Sequence, residues 1–446
     1  MSLFKGLIFR IKLIFIGTTF FYMNLKRRAF IQASALSLGG IGISKLDFLN
    51  GNTPMEKVLS NLEPMTEGIK PIGKEERLKR VEKAQRLMKE NNLKGIILDC
   101  GTSLEYFLGV IWWPSERTMV AIIPAEGEVR YICPRFEVAR LQELVQIGKI
   151  IYPWDEDESP YLEIAKALGD AGIQNGQMGI EERLRYFILN GIQKAAPALN
   201  FISADPVTIP CRLIKSQAEI DIMQRATEMT TSAMKLGIKA LRLGMAPSEF
   251  SDMVNEAHIK FGAEPDFALC NFAEASAYPH GSVKPQKLNK GDIVLIDCGC
   301  RFLGYSSDMS RTLVFGSSPS PRQLEVWNLE KKAQAAGFMA AKLGDPCMNV
   351  DAAARKVIVD AGFGPGYQLP GLPHRTGHGI GMDGHEWGNM VKGNTLPLQV
   401  GMCFSIEPNI SIPGEFGVRL EDCVQMTESG PKWFSNPSPS IDQPFV

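Results

Sequence analysis

The run Ile293-Val294-Leu295-Ile296 ends in an acid, Asp297, and that acid constrains the chain more than any other feature. Four branched apolar residues in a row read as a buried strand, and a carboxylate at its end is a charge where burial opposes it. A second strand-like segment, Tyr305 to Phe315, carries Asp308. Facing residues of an antiparallel hairpin share a constant sum of residue numbers. Pairing Asp297 with Asp308 centres the turn on Phe302/Leu303, between Gly299 and Gly304, and sets their Cβ atoms about 5 Å apart. The pattern recurs further on. Met402 to Glu407 is strand-like and ends in an acid, Gly417 to Val424 holds Glu421, and pairing those two acids centres a turn on Gly414.

Two facing acidic pairs repel each other and would protonate in apolar surroundings unless a cation compensates them. One pair could share a proton, as in acid proteases or glycosidases. Two pairs with a histidine are better explained by metal. His378 lies in Gly377-His378-Gly379-Ile380-Gly381, where glycines let the backbone curl close and the imidazole project. Asp, Glu and His without thiolate favour Mn²⁺, Co²⁺, Fe²⁺ or Zn²⁺ over a closed structural zinc site. Five ligands, several able to bridge, suit two ions about 3.5–4 Å apart.

The rest of the chain supplies two domains around this centre. Its 446 residues, 45% hydrophobic, are enough for two buried cores. A net charge of −1 and the lack of a basic tract with aromatics argue against a nucleic-acid partner. Nine scattered cysteines with no C-x-x-C pair indicate neither a disulfide framework nor a thiolate zinc site, and are read as small buried residues.

Met1 to Tyr22 is rich in Phe, Leu and Ile, and Lys26-Arg27-Arg28-Ala29-Phe30-Ile31 precedes a weaker apolar run, Ala33 to Ser44. Residues 1–50 are therefore expected to be a leader resembling a twin-arginine export signal, which would carry the folded protein across a membrane, to the periplasm. The alternatives are a membrane anchor at Met1 to Tyr22, a true start at Met23, or a cytoplasmic protein. A linker is expected over 51–70. An amphipathic helix over Lys74 to Asn92 follows, then strand-like runs at Gly95 to Leu98, Thr118 to Ile123 and Val129 to Cys133, alternating with helical patterns. This predicts an α/β domain over 71–212. Pro206 and Pro210 punctuate the chain, and Ser216-Gln217-Ala218-Glu219 has the spacing of a capping box. Long helices are expected at Ala218 to Leu241, Ser248 to Phe261, Pro321 to Leu343 and Val350 to Ala361, within an α+β catalytic domain over 213–430 and before a tail, 431–446.

Seven motifs then occur in an order that resembles aminopeptidase P, prolidase and their relatives: Tyr278-Pro279-His280-Gly281, Leu295 to Gly299, Ser307 to Thr312, His374 to Gly381, His385-Glu386, Ile406-Glu407-Pro408 and Gly417 to Asp422. The resemblance implies a creatinase-like N-terminal domain followed by a pita-bread catalytic domain. It implies that Asp297 and Asp308 hold one metal ion with Asp308 bridging, that His378 and Glu407 complete the second, and that Glu421 bridges both. The cofactors would be two divalent ions, Mn²⁺ foremost. A hydroxide between them would cut the bond before proline, with Glu407 as proton acceptor. His280 and His385 would contact the scissile carbonyl and the substrate around proline. His374, one helical turn before His378, would shape the pocket, and Arg419 would orient the acids. His258 is expected to be structural.

The partners implied are peptides with proline second and further copies of the chain in a homodimer or larger assembly, with membrane association only through the leader. Asn409 and Gly384 depart from the family pattern and are expected to alter pocket width. A methionine aminopeptidase generally lacks the long N-terminal domain, and a creatinase lacks the metal carboxylates. A non-proline aminopeptidase or a silent binding module of the same fold remain as alternatives.

Overall fold

In the computed structural model, which describes residues 59–446, the first long element is the expected amphipathic helix. The helix α1 (Lys74–Glu90) buries Val81, Ala84 and Met88 on one side, together with Arg80, and keeps most of its other charges in solvent. The expected leader, with Arg27 and Arg28, and the first part of the expected linker lie outside the described residues.

Then β1 (Leu93–Asp99), α2 (Thr102–Leu108), β2 (Val120–Pro124), β3 (Arg130–Pro134), α3 (Val138–Leu144), β4 (Ile150–Trp154), α4 (Pro160–Asp170), β5 (Gly176–Ile180), α5 (Tyr186–Ala195) and β6 (Leu199–Ser203) follow in turn. They form one six-stranded sheet in the order β4-β3-β2-β1-β5-β6, mixed because β2 runs antiparallel to both its neighbours. Ile97, Ile122, Ile132 and Met178 of the sheet pack against Ile164 and Leu168 of α4 and Ile188 and Ile192 of α5. This is the α/β layer expected from the alternation of patterns.

Pro206 and Pro210 do not break the chain. Both lie within α6 (Asp205–Leu213), Pro206 in the first turn, where an amide N–H has no helical partner to lose. The expected capping box is present: Ser216 N–H donates to Glu219 Oε2 at 2.8 Å, and Glu219 N–H donates to Ser216 Oγ at 3.4 Å. It opens α7 (Gln217–Lys239), followed by α8 (Pro247–Phe261).

The second half is built from two larger sheets and a separate two-stranded hairpin. The strands β7 (Glu264–Phe272), β8 (Ile293–Phe302), β9 (Tyr305–Ser306) and β10 (Met309–Val314) make the first, with β8 central between β10 and β7 and its end paired to β9. After α9 (Pro321–Ala340) and α10 (Met348–Asp360) come β11 (Gly377–Gly379), β12 (Glu386–Met390), β13 (Cys403–Ile406), β14 (Asn409–Ile412), β15 (Phe416–Arg419), β16 (Asp422–Thr427) and β17 (Gly430–Trp433). Five of these form a sheet in the order β12-β11-β13-β16-β17, while β14 and β15 pair as a separate hairpin. Trp327 and Val326 of α9 pack against Ile410, Val418 and Leu420 behind this hairpin.

The first hairpin differs from its expected register. Asp297 pairs with Ser310, not Asp308, and the turn is the two residues Leu303 and Gly304, with φ of 48° and 87°. Both positive values make a type I′ turn, which favours Asn, Asp or Gly at its first position. Leucine there hid the turn from sequence reading. The slip is by two residues, and side chains alternate faces with period two, so Asp308 stays on the face of Asp297 as its diagonal neighbour. The second hairpin keeps the expected register, with Ile406 opposite Asp422 and Asn409 opposite Arg419. Its strands are interrupted where the acids fall. Glu407 and Glu421 occupy breaks between β13 and β14 and between β15 and β16, and Asp308 sits in a break between β9 and β10. An isolated pair, Ser310 with Glu421, joins the two hairpins.

Buried ion pairs tie α1 and α6 to the second half. Arg80 meets Glu219 at 3.3 Å and the Tyr305 hydroxyl at 3.0 Å, and Arg212 meets both Asp383 and Glu386 at 2.6 Å. Eight of the nine cysteines are buried.

Candidate metal centre

The hairpin breaks at Asp308, Glu407 and Glu421 turn three carboxylates toward Asp297 on β8. Oxygen and nitrogen atoms of Asp297, Asp308 and Glu421, of His378, Glu407 and Glu421, and of Asp308, His378 and His385 lie within 4.8 Å of one another in each group. All five ligands expected from sequence are thus brought together. They line a cavity of about 660 Å³ with Asp266, Phe267, His280, His374, Arg375 and Gly384.

His378 is placed by backbone crowding. A Cβ on Gly377 would stand 1.9 Å from Ser405 O, and one on Gly379 would stand 1.8 Å from Trp387 O, so only glycine allows β11 to lie this close to β13 and β12. His378 N–H donates to Ser405 Oγ at 3.0 Å, and its Nδ1 lies 3.1 Å from Gly379 O. A carbonyl only accepts, so Nδ1 carries a hydrogen, and Nε2 faces the acids, pairing with them when protonated and offering a metal its lone pair when not. Nε2 is 3.1 Å from Glu407 Oε1 and 3.6 Å from Asp308 Oδ2.

Ser310 and Arg419 organise the other side. Ser310 Oγ lies 2.7 Å from Glu421 Oε2 and 3.1 Å from Asp297 Oδ1, and accepts from Arg419 Nε at 2.9 Å. Arg419 also pairs with Asp297 through Nη2, and donates to Pro279 O at 3.1 Å, holding the loop that carries His280. Arg419 therefore touches an acid directly. The Ser310 hydroxyl was missed in the sequence, and the shifted register is what would have placed it opposite Asp297.

The electrostatics call for a cation. Burial, followed by the charges of neighbouring acids, pushes the Asp308 and Glu421 carboxyls well above the usual carboxylate range. Burial also raises Asp297, against the pull of Arg419. Glu407 goes the other way. Burial would raise it, but His378 and then His374 hold it far below that range. Glu421 Oε1 is buried and has no hydrogen-bond partner among the described residues. An acceptor left bare among converging acids suits a divalent cation, and the imidazole and carboxylate donors suit Mn²⁺, Co²⁺, Fe²⁺ or Zn²⁺. On this test the residues fit a metal centre.

His385 lies over His378, ring centroids 4.0 Å apart, and its Nδ1 is 3.2 Å from Arg375 Nη2. A guanidinium only donates, so Nδ1 accepts and Nε2 carries the hydrogen. Such an imidazole offers the cavity a donor and no ligand lone pair, although it sits within reach of the cluster. Burial, His378 and Arg375 push it down to about 4, so it is neutral near pH 7. His374 is not one helical turn from His378, because the segment between them is a loop leading into β11. It donates from Nδ1 to Arg375 O at 2.7 Å, leaving a buried Nε2 without a partner. Burial also lowers its pKa. His280 lines the cavity from an exposed loop. His258 is fully buried in α8 and shares a hydrogen bond with Thr230 Oγ1 at 3.2 Å, the structural place expected of it. Gly384 lines the cavity, whereas Asn409 is buried behind it, donating to Ser411 Oγ at 2.7 Å, and does not set its width.

Comparisons with known proteins agree with this architecture. Residues 221–428 match the model of metallopeptidase family M24, and residues 80–214 match that of the creatinase/prolidase N-terminal domain. An uncharacterized peptidase of Schizosaccharomyces pombe is 32% identical over 92% of this chain and 93% of its own length. The chain belongs to metallopeptidase family M24. A Xaa-Pro dipeptidase of Lactobacillus delbrueckii subsp. lactis is 30% identical, covering 81% of this chain and 98% of that one. Among solved structures, the dipeptidase PepE of Mycobacterium ulcerans superposes with a TM-score of 0.78 at 29% identity, over 84% of this chain and all of the other. A prolidase of Thermococcus sibiricus gives 0.75 at 28% identity, over 83% of this chain and 98% of its own. The pita-bread and creatinase-like domains expected from the motifs are therefore present, and the chain is an enzyme of the metallohydrolase class.

Proposed function

We propose that this enzyme hydrolyses the peptide bond preceding proline, with Asp297, Asp308, His378, Glu407 and Glu421 holding two divalent ions, Mn²⁺ foremost. The observation that carries the reading is the convergence of those five side chains on one cavity flanked by three histidine candidates for substrate contact. When bound, the ions would supply Lewis acidity and a water of lowered pKa.

The chain's own groups do the rest. Glu407, whose carboxyl is held far below the usual range beside His378, is the acceptor for the proton released as water attacks. His385 points its Nε2–H into the cavity, where a carbonyl oxygen gaining negative charge needs a donor. His374 Nε2 is a free acceptor for a substrate N–H, and His280 approaches from the opposite loop. A bond to proline has no amide N–H, and none of these contacts requires one.

The relatives named as Xaa-Pro dipeptidase and prolidase support this substrate class. Purified protein given Mn²⁺ and matched Xaa-Pro and Xaa-Ala peptides should release the first residue from the Xaa-Pro series. Cleavage of Xaa-Ala alone would overturn the specificity. A series of increasing length would show whether dipeptides or longer peptides are cut, and sedimentation would test the expected homodimer. For location, the proposal is export to the periplasm through the paired arginines. Changing Arg27 and Arg28 to Lys should leave the protein in the cytoplasm, and undiminished export would refute it.

A further inference from the structure

Arg311 is fully buried on β10 and touches none of the five candidate ligand side chains, yet every one of its N–H groups is used. Nη1 donates to Ser310 O and to Glu421 O, each at 2.9 Å. Nη2 donates to Asp422 Oδ1 at 2.7 Å and to Asn436 O at 3.1 Å, and Nε donates to Pro444 O at 2.9 Å. Five donors meet four carbonyls and one carboxylate, the full capacity of a guanidinium. The ring of Phe445 lies 5.0 Å from the guanidinium carbon and closes over it.

Two of those carbonyls belong to the residues that join the hairpins. Ser310 and Glu421 pair across the isolated bridge through N–H to O contacts of 3.3 and 3.2 Å, long for backbone hydrogen bonds. Nη1 lies between the same two oxygens and draws them together. One of these residues carries a candidate ligand and the other hydrogen-bonds two of them. The charge is settled locally, since buried Asp422 pairs with Arg311 and also accepts from Gln334 Nε2 at 3.0 Å. What Arg311 supplies to the centre is therefore position, not potential.

We propose that Arg311 is a positioning residue for the metal centre, and that the last residues of the chain complete its shell, so that the C-terminal tail sets metal affinity. This rests on the two-ion reading of the site. Partners that orient ligands from outside the coordination sphere typically change metal affinity or activity by about 10–100-fold. Lysine at 311 would keep the charge, but its three donors on one nitrogen cannot reach the five acceptors that the planar guanidinium fork spans. Ending the chain at Asp442 removes Pro444 O and the Phe445 ring while keeping Asn436 and the core residue Ile441.

The test titrates metal-free wild type, Arg311→Lys and the chain ending at Asp442 with Mn²⁺ by calorimetry, and records melting of the metal-free proteins and kcat and KM. Mn²⁺ binding should weaken at least tenfold in Arg311→Lys and severalfold in the shortened chain, with kcat falling and KM holding. If Arg311→Lys does not fold, the shortened chain alone decides. Mn²⁺ binding within twofold of wild type, with only the melting temperature lowered, would make Arg311 a packing residue and overturn the inference. Wild type that takes up no Mn²⁺ would instead sink the two-ion reading, and this inference with it.

Discussion

Replacing Gly379 by alanine is the sharpest perturbation of the centre that substitutes none of its ligands. The added Cβ would stand 1.8 Å from Trp387 O and 2.8 Å from Trp387 C, both backbone atoms of the paired strand β12. No rotamer change relieves a backbone clash, so β11 must retreat by about 1.5 Å to reach ordinary contact distance. His378 is the preceding residue and moves with it. A displacement of about 1 Å in a catalytic constellation costs on the order of 100-fold in rate, or about 2.7 kcal/mol, and overpacking adds about 1–3 kcal/mol of lost stability. The assay is kcat/KM on Ala-Pro at saturating Mn²⁺, with thermal melting of the same samples. Gly169→Ala serves as control, since nothing lies within 4 Å of its added Cβ and it sits in α4. That variant should keep full activity and gain up to about 1 kcal/mol of stability. Gly379→Ala activity within threefold of wild type would refute the reasoning that β11 is held against its neighbour to aim His378.

Asp308→Asn should abolish Mn²⁺-dependent turnover yet raise the melting temperature of the metal-free protein. A carboxyl whose pKa is raised on folding destabilises the fold above its unfolded pKa, and the amide removes that cost; a lower metal-free melting temperature would contradict this. Arg212→Leu should cost up to about 3–5 kcal/mol in urea unfolding, because it leaves the buried Glu386 side chain to Lys215 alone and half-buried Asp383 to Arg183 alone; a loss under 1 kcal/mol would show the pairing to be idle. His258, pushed down to about 4 by burial, binds its proton less readily in the folded than in the unfolded chain. Its contribution, up to about 3 kcal/mol, is therefore whole above pH 6.5 and is lost as pH falls toward 4. His258→Leu should flatten the pH dependence of unfolding between those values, and an unchanged slope would discount it.

The helices were legible because their ends are written locally. Ser216 with Glu219, Ser320 before Pro321, and Gly262 after Phe261 each place a boundary within a few residues. The five candidate ligands were legible for different reasons: Asp297 and Glu407 as acids ending apolar runs where burial opposes them, Asp308 and Glu421 as their hairpin partners, and His378 by its flanking glycines. The breaks in the strands were not, because β9, β10 and the paired segments around Glu407 and Glu421 read as continuous strand-like stretches. Their interruptions follow from hairpins meeting at Ser310 and Glu421, more than 100 residues apart. The same distance hid the ion pairs between Arg212 and Glu386 and between Arg80 and Glu219, since sequence periodicity carries no information on which buried charges meet. Leu303 in a left-handed turn defeated the register by two residues, and the even slip spared the shared face. The role of Arg375 in fixing the tautomer of His385 also went unread, for it depends on a contact across a loop.

Anomalous diffraction from crystals grown with Mn²⁺, recorded on both sides of the manganese edge, tests the centre most directly. Two peaks about 3.5–4 Å apart are expected, both within bonding distance of Asp308 and Glu421, one also of Asp297 and the other of His378 and Glu407. A single peak, or manganese bound elsewhere while the five side chains stay metal-free, would contradict a dinuclear site built from these residues.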